Sequence, residues 1–129
     1  MMWKPIAVLT LAALAAVAEP VASGKYLGKW EGGSASGDIR LAMQQTDGQW
    51  KATVSFTIAG QDVPCTVKSI AVEGEKLKVV YAFDIQGNRL ESTIEGALKG
   101  TKLSGKYVTR TAGEASEVDQ GTWETTAAQ

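Results

Sequence analysis

Residues 49–58 read QWKATVSFTI, and this stretch decides the fold. Side chains on an extended strand point to opposite faces in turn, so a period of two places all the apolar groups on one face. The stretch therefore predicts a β-strand with one buried face and one face toward water. Every second position is apolar: Trp50, Ala52, Val54, Phe56 and Ile58.

Glycines punctuate the chain on both sides of this strand at intervals of 11 to 14 residues, which fits one strand and one tight turn, repeated. Glycine adopts the positive φ that short hairpin turns require. We therefore predict an all-β, antiparallel meander that turns at these glycines, without helices. The seven glycines are Gly37, Gly48, Gly60, Gly74, Gly87, Gly100 and Gly113.

Alternation between the glycines predicts eight strands. In the fourth strand the apolar positions change parity between Val67 and Ile70, which predicts a β-bulge near Lys68-Ser69. Pro64 has no N–H, so it should lie where no ladder hydrogen bond is needed. Thr111 to Asp119 is predicted to be the one long loop, polar and acidic. The eight ranges are Lys25–Glu31, Asp38–Gln45, Gln49–Ile58, Gln61–Val72, Lys76–Asp84, Asn88–Leu98, Lys102–Arg110 and Gln120–Thr126.

Eight aromatic residues follow residue 18, and all of them fall on the apolar parity. Eight antiparallel strands with short turns can close into an up-and-down barrel, which removes exposed sheet edges. The first and last strands share a pattern, at Gly28–Glu31 and Gly121–Glu124, so we expect them to pair, with each glycine leaving room for a neighbouring indole. A two-sheet β-sandwich is the alternative architecture. The aromatic residues are Tyr26, Trp30, Trp50, Phe56, Tyr81, Phe83, Tyr107 and Trp123.

Residues 1–18 have the order of a cleavable signal peptide. Lys4 is followed by the apolar run Ile6–Ala15 and by the small-x-small sequence Ala16-Val17-Ala18. The run is too short for a membrane-spanning helix, which needs ~20 apolar residues. We therefore expect a single domain, residues 19–129, that is periplasmic or secreted in a bacterium.

Composition argues against several classes of function. The formal net charge of −1 gives no electrostatic reason to expect a nucleic-acid or membrane partner, and the absence of histidine removes the commonest metal ligand and general base. The single cysteine, Cys65, lies on the inward parity, where a buried small hydrophobe is expected rather than a reactive thiol. Glu114, Glu117 and Asp119 match no calcium-binding loop. We expect no enzyme activity, no metal and no cofactor.

Two motifs resemble those of a known family. Gly28-Lys29-Trp30 resembles the G-x-W signature of lipocalins and related calycin barrels, and Gly32 extends it to the G-x-W-x-G of small exported bacterial lipocalin-like barrels. The hairpin sequence of residues 100–105, GTKLSG, is similar to the repeated Gly-x-x-Leu-x-Gly of that family, and residues 103–107 also look like a strand of avidin-type barrels. The resemblance implies a β-barrel but no settled function. The chain is shorter than true lipocalins and lacks their helix after the barrel.

An eight-stranded barrel is either filled by its own side chains or just wide enough for one small ligand. Glycines on the inward parity, such as Gly96 and Gly105, leave space among the rings. We therefore hypothesise an apolar cup with a few hydroxyl groups, Thr109 and Thr125 among them, that binds a small hydrophobic molecule. A fully packed core is the alternative. The candidate ligand-binding residues are Trp30, Trp50, Phe56, Tyr81, Phe83, Ser92, Tyr107 and Trp123.

Two further functions fit the same pattern. The first is a protein-interaction module, such as a secreted protease inhibitor, that acts through Glu19–Ser23 or through the loop Thr111–Asp119. The second is a small outer-membrane barrel, in which the apolar face would point outward to lipid. Charges crowd the polar face and the aromatic residues lie in strand middles, which favours the apolar-inside barrel. The sequence predicts no particular oligomeric state.

Overall fold

The computed structural model describes residues 21–128, which form nine antiparallel β-strands. The predicted signal peptide, residues 1–18, lies outside the described residues. No candidate for a membrane-spanning helix occurs between residues 21 and 128. The all-β prediction is confirmed for this part of the chain. The strands are β1 (Gly24–Gly32), β2 (Ser36–Thr46), β3 (Gln49–Ile58), β4 (Gln61–Pro64), β5 (Thr66–Glu73), β6 (Lys76–Ile85), β7 (Asn88–Lys99), β8 (Lys102–Thr111) and β9 (Glu117–Ala127).

The nine strands form one sheet in the order β4-β3-β2-β1-β9-β8-β7-β6-β5. Strands that are neighbours in the sheet are consecutive in the chain, with one exception: β1 pairs with β9, which brings the two ends of the described chain together. The two edge strands, β4 and β5, are consecutive in the chain and are joined through Cys65. The sheet therefore curls into a nearly closed up-and-down barrel and is not divided into the two layers of a sandwich.

The prediction of eight strands is wrong in one place, because the fourth predicted strand, Gln61–Val72, is divided in two. The ladder between β3 and β4 ends at the pair Ser55 and Pro64, since proline has no N–H to continue it. Cys65 belongs to neither strand, and from Thr66 onward the chain pairs with β6. The predicted bulge is confirmed as a register shift between residues 67 and 69. Because β5 lies beside β3 without a hydrogen-bonded ladder, the barrel is not fully closed.

The predicted pairing of the first and last strands is confirmed, with Trp30 directly opposite Trp123. The glycines that make room for the indoles are not the predicted ones. Gly37 lies opposite Trp30, and Gly96 lies against the Trp123 ring. A Cβ at either position would collide with an indole, so the absence of a side chain lets each ring approach the backbone there.

The prediction that seven glycines mark turns is wrong at Gly37. It lies inside β2, and the preceding bend is at residues 33–35. A strand glycine opposite a large indole serves close packing and not chain reversal. The other six predicted turn glycines have positive φ: Gly48, Gly60, Gly74, Gly87, Gly100 and Gly113.

The apolar face points into the barrel. Seven of the eight aromatic residues that were predicted to lie on the apolar face are buried, and Trp50 is half-buried against the core. The outer face carries ion pairs between neighbouring strands, such as Lys29 with Asp38 at 2.9 Å. Among residues 21–128, the exposed large hydrophobic residues are Leu27 and Val118.

One end of the barrel is closed by the start of the described chain. Val21 is buried, and its N–H donates to the carbonyl of Gly74 at 2.9 Å. The Tyr26 hydroxyl donates to the carbonyl of Ala22 at 2.9 Å. We call this the closed end.

The opposite end, which we call the open end, carries the connections after β1, β3, β6 and β8. The last of these is shorter than the predicted loop Thr111–Asp119. Strand β8 continues to Thr111 and β9 begins at Glu117, so the loop comprises residues 112–116. Asp119 therefore lies in a strand.

Replacement Gly37→Ala is expected to destabilise the fold by about 2 kcal/mol, the usual range for overpacking. An added Cβ would collide with the Thr57 carbonyl and approach Trp30 Nε1 to 2.8 Å. The unfolding free energy from urea titration measures the change. Ser36→Ala, one position earlier and exposed, is the matched control and should change stability by less than about 0.5 kcal/mol. Equal stability of the Gly37→Ala protein and the unmodified protein would contradict this packing.

Candidate ligand-binding cavity

A cavity of about 210 Å³ opens into the barrel from its open end. Its lining comes from strands β1, β2, β3, β6, β7, β8 and β9 and from the connection that contains Ser34 and Ala35. The structure thus has unfilled space where the sequence left two alternatives, a cup or a packed core. Seven of the eight candidate residues line this cavity: Trp30, Phe56, Tyr81, Phe83, Ser92, Tyr107 and Trp123.

Trp50 and Thr125 are not brought to the cavity. Trp50 pairs with Gln45 beside the turn at Gly48, at the closed end, where it is half-buried. The Thr125 hydroxyl is buried and donates to the carbonyl of Leu103 at 2.8 Å. Buried aliphatic residues fill the half of the interior that lies at the closed end. They include Leu41, Met43, Leu77, Leu98 and Leu103.

The wall of the cavity is a set of aromatic rings in edge-to-face contact. The Trp30 centroid lies 5.9 Å from those of Phe56 and Tyr107, with interplanar angles near 90°. Phe56 contacts Phe83 in the same way at 4.9 Å. This arrangement places the positive edge of one ring against the negative face of another. The rings therefore fix one another's orientation.

Both indole N–H groups of this wall are bound to the backbone. Trp30 Nε1 donates to the Thr57 carbonyl at 3.0 Å. Trp123 Nε1 lies 3.1 Å from the Lys106 carbonyl and 3.3 Å from that of Glu95, and donates to both. Because the polar atoms of the indoles already have partners, these two residues offer the cavity apolar ring surface.

Three hydroxyl groups meet on the β6, β7 and β8 side of the cavity. Ser92 and Thr109 lie opposite each other in the ladder, and their hydroxyl oxygens are 2.5 Å apart. Tyr81 lies opposite Ser92 on the other side. Burial raises the pKa of the Tyr81 phenol, and the Ser92 hydroxyl acts in the opposite direction. These groups therefore keep their protons at neutral pH and act as hydrogen-bonding groups.

Asp119 is the charged residue of the lining, and the sequence analysis placed it in a solvated loop. Its Oδ2 accepts a hydrogen bond from the Tyr107 hydroxyl at 2.7 Å, and its Oδ1 accepts from the Gly33 N–H at 3.4 Å. Gly32 makes the room, since a Cβ there would fall on the Tyr107 hydroxyl and the Asp119 carboxylate. Burial, then the hydrogen bond and the charge of Asp119, raise the pKa of Tyr107.

A signal for Asp119 exists in the sequence. Asp119 has the same parity as Gly121, Trp123 and Thr125, so extending the last strand backward by one step turns its side chain inward. Ile85 was not predicted for a related reason, because it is the last residue of β6 and lies one position beyond the predicted strand Lys76–Asp84. Ile58, which also lines the cavity, lies on the predicted apolar face of β3.

Cys65 lies at the junction of β4 and β5, half-buried and outside the cavity lining. Burial raises the pKa of its thiol to about 12, so the thiol stays protonated and weakly nucleophilic at neutral pH.

The acidic residues of the predicted loop do not come together as a group. Glu117 pairs with Arg110 at 3.8 Å, while Asp119 lines the cavity. Within residues 21–128 no three acidic or cysteine side chains are grouped as metal ligands.

Comparison of the chain with protein-family models, with curated proteins and with solved structures gave no match. The structure shows a nearly closed antiparallel β-barrel, which agrees with the barrel architecture that the sequence motifs imply.

The three tyrosines are expected to ionise above pH 10 in the folded protein, because burial raises the pKa of Tyr26, Tyr81 and Tyr107 above the ordinary value of 10.0. Ultraviolet titration of tyrosinate measures this, with the urea-unfolded chain as the control that titrates near pH 10. A folded-state titration of any one tyrosine at pH 10 would contradict the burial of that phenol.

The same shifts predict alkaline destabilisation. A phenol whose pKa is higher in the folded state contributes stability below the unfolded pKa of 10.0, and this contribution is lost as the pH rises toward the folded value. Tyr107→Phe should therefore make the urea midpoint fall less steeply above pH 10 than in the unmodified protein. An unchanged slope would contradict the contribution of Tyr107.

Proposed function

We propose that this protein is an exported, non-enzymatic, lipocalin-like β-barrel that binds a small apolar molecule in the cavity at its open end. One observation carries the proposal: the interior of the barrel contains about 210 Å³ of space inside a wall of interlocked aromatic rings. Apolar lining with a few convergent polar groups is the usual composition of a ligand site.

The volume limits the size of the ligand. A dry engineered cavity of roughly 150 Å³ lined by Leu, Ile and Phe binds benzene, and drug-sized ligands use pockets of roughly 300–1,000 Å³. A cavity of about 210 Å³ lies between these values. It suits a compact molecule with one ring, two fused rings or a short branched chain.

The polar groups of the cavity suit binding better than catalysis. The phenols of Tyr81 and Tyr107 have raised pKa values, so they hold their protons at neutral pH. A protonated phenol donates a hydrogen bond and is a poor nucleophile. The hydroxyls of Ser92 and Thr109 are bonded to each other, which also favours a role in orienting a ligand.

The two alternatives have weaker support. For the interaction module, Val21 is buried and hydrogen-bonded at the closed end, so this residue is not free to reach a partner, and the open-end loop is shorter than predicted. For the outer-membrane barrel, the outward face carries ion pairs such as Arg40 with Asp62, which lipid would disfavour.

Leu90→Trp is expected to abolish binding of a naphthalene-type fluorescent dye, because Leu90 lines the cavity and a larger ring there occupies the space. Leu27→Trp makes the same replacement on the outer surface, where Leu27 is 48% exposed, and should leave dye binding unchanged. Dye emission on titration is the measurement, with circular dichroism to verify that both variants fold. If the unmodified protein gives no saturable response, or if both variants bind equally, the cavity is not the binding site.

Export predicts cleavage after Ala18. Native mass spectrometry of the protein purified from its own host measures the mass of the processed chain, and also shows whether a small molecule accompanies it. A chain that retains residues 1–18 in the cell would contradict export.

A further inference from the structure

We propose that the ligand is a compact apolar amine, whose ammonium group binds the Asp119 carboxylate at the open end while its hydrocarbon part occupies the aromatic cavity. This inference rests on the proposed function and specifies the chemical class of the ligand. It is carried by the position, the partners and the charge of Asp119.

Among residues 21–128, no lysine or arginine forms an ion pair with the Asp119 carboxylate. Asp119 is also the one charged side chain among the described residues that line the cavity. The ion pairs of residues 21–128 engage other carboxylates, and on the same strand Glu117 pairs with Arg110. A ligand that brings a positive charge to the open end would supply the missing partner.

The carboxylate is held in place and still has capacity to bind. The Tyr107 hydroxyl fixes Oδ2 at 2.7 Å, and the Gly33 N–H approaches Oδ1 at 3.4 Å. Two carboxylate oxygens offer about four lone-pair sites, so acceptor positions remain for an ammonium group. Because the group is already oriented, the ligand does not have to order it on binding.

The same contacts disfavour an anionic ligand. A carboxylate or phosphate head group needs donors at the open end, and the two donors beside Asp119, the Tyr107 hydroxyl and the Gly33 N–H, already bind that residue. An anion there would also meet the charge of Asp119, and like charges repel each other more strongly at a protein surface than in bulk water.

Aromatic rings lie next to the Asp119 carboxylate. Tyr107 bonds Asp119 directly, and the Trp30 ring lies 5.9 Å from the Tyr107 ring. An amine bound at Asp119 through its ammonium group can therefore place its hydrocarbon part against these rings. A carboxylate with adjacent rings is well suited to an amine that carries an apolar body.

Three one-ring probes of similar size test the inference: benzylamine, the neutral isostere ethylbenzene, and phenylacetate. Each is titrated against the mature protein in competition with the naphthalene-type dye. We expect benzylamine to bind about tenfold more tightly than ethylbenzene, the effect of one charge-assisted hydrogen bond, and phenylacetate to bind more weakly than either.

Two substitutions separate the charge of Asp119 from the general charge of the surface. Asp119→Asn keeps an oxygen for the Tyr107 hydroxyl but removes the charge, so it should abolish the preference for benzylamine over ethylbenzene. Glu117→Gln removes an equal charge two positions away, on a side chain that pairs with Arg110, and should keep the preference.

The outcomes distinguish this inference from the proposed function. Binding of ethylbenzene without any preference for benzylamine, or a preference that persists in Asp119→Asn, overturns the amine assignment and leaves the apolar cavity as a binding site. Failure of all three probes to displace the dye, or absence of dye binding, overturns the proposed function itself. The order of affinities in the unmodified protein decides the matter even where a variant does not fold.

Discussion

The curvature of the sheet depends on inward-facing positions that carry no side chain. At Gly28, Gly105 and Gly121 an added Cβ would collide with the backbone of the neighbouring strand, so the strands approach and bend there as no other residue allows. Glycine kinks of this kind are a recognised way to curl a sheet toward closure. In this barrel they lie on β1, β9 and β8, three neighbouring strands that include the pair formed by the first and last strands. The cavity exists because this part of the sheet curves tightly enough to bring Trp30, Tyr107 and Trp123 around one space.

The two halves of the interior are packed by different side chains, and this difference leaves the space at one end. Flexible aliphatic residues such as Leu77 and Leu103 fill the closed end, where they adapt to one another's shapes. Rigid rings occupy the open end and contact one another edge to face, with the indole N–H groups bound to backbone carbonyls. Rings held in this way cannot collapse into the remaining volume. The result is a cavity with a fixed wall. This rigidity favours the proposed binding role over a simple defect of packing.

The hydrogen-bonded ladder of the barrel is interrupted at the join between β4 and β5. Pro64 ends the ladder with β3, and the following bulge changes the register with β6, so the chain crosses from one edge of the sheet to the other through Cys65. Cys65 and Val67 are only half-buried at this join. Its position matters for the site, since the join lies on the side of the barrel away from β1, β8 and β9, and so Asp119 and its Tyr107 partner are held by the continuous part of the ladder.

The sequence by itself determined the strands and the face that each one buries. The period of two is a local property, which is why β3 has the predicted bounds and the inward parity of Phe56 and Tyr81 could be assigned without knowing their neighbours. Tertiary structure decided the rest: that Gly37 serves an indole and not a turn, that Trp50 lies away from the cavity, and that Asp119 faces inward beside Tyr107. Each of these depends on which residue lies opposite in the next strand, and pairing across a sheet is fixed by closure of the whole barrel and not by any one segment.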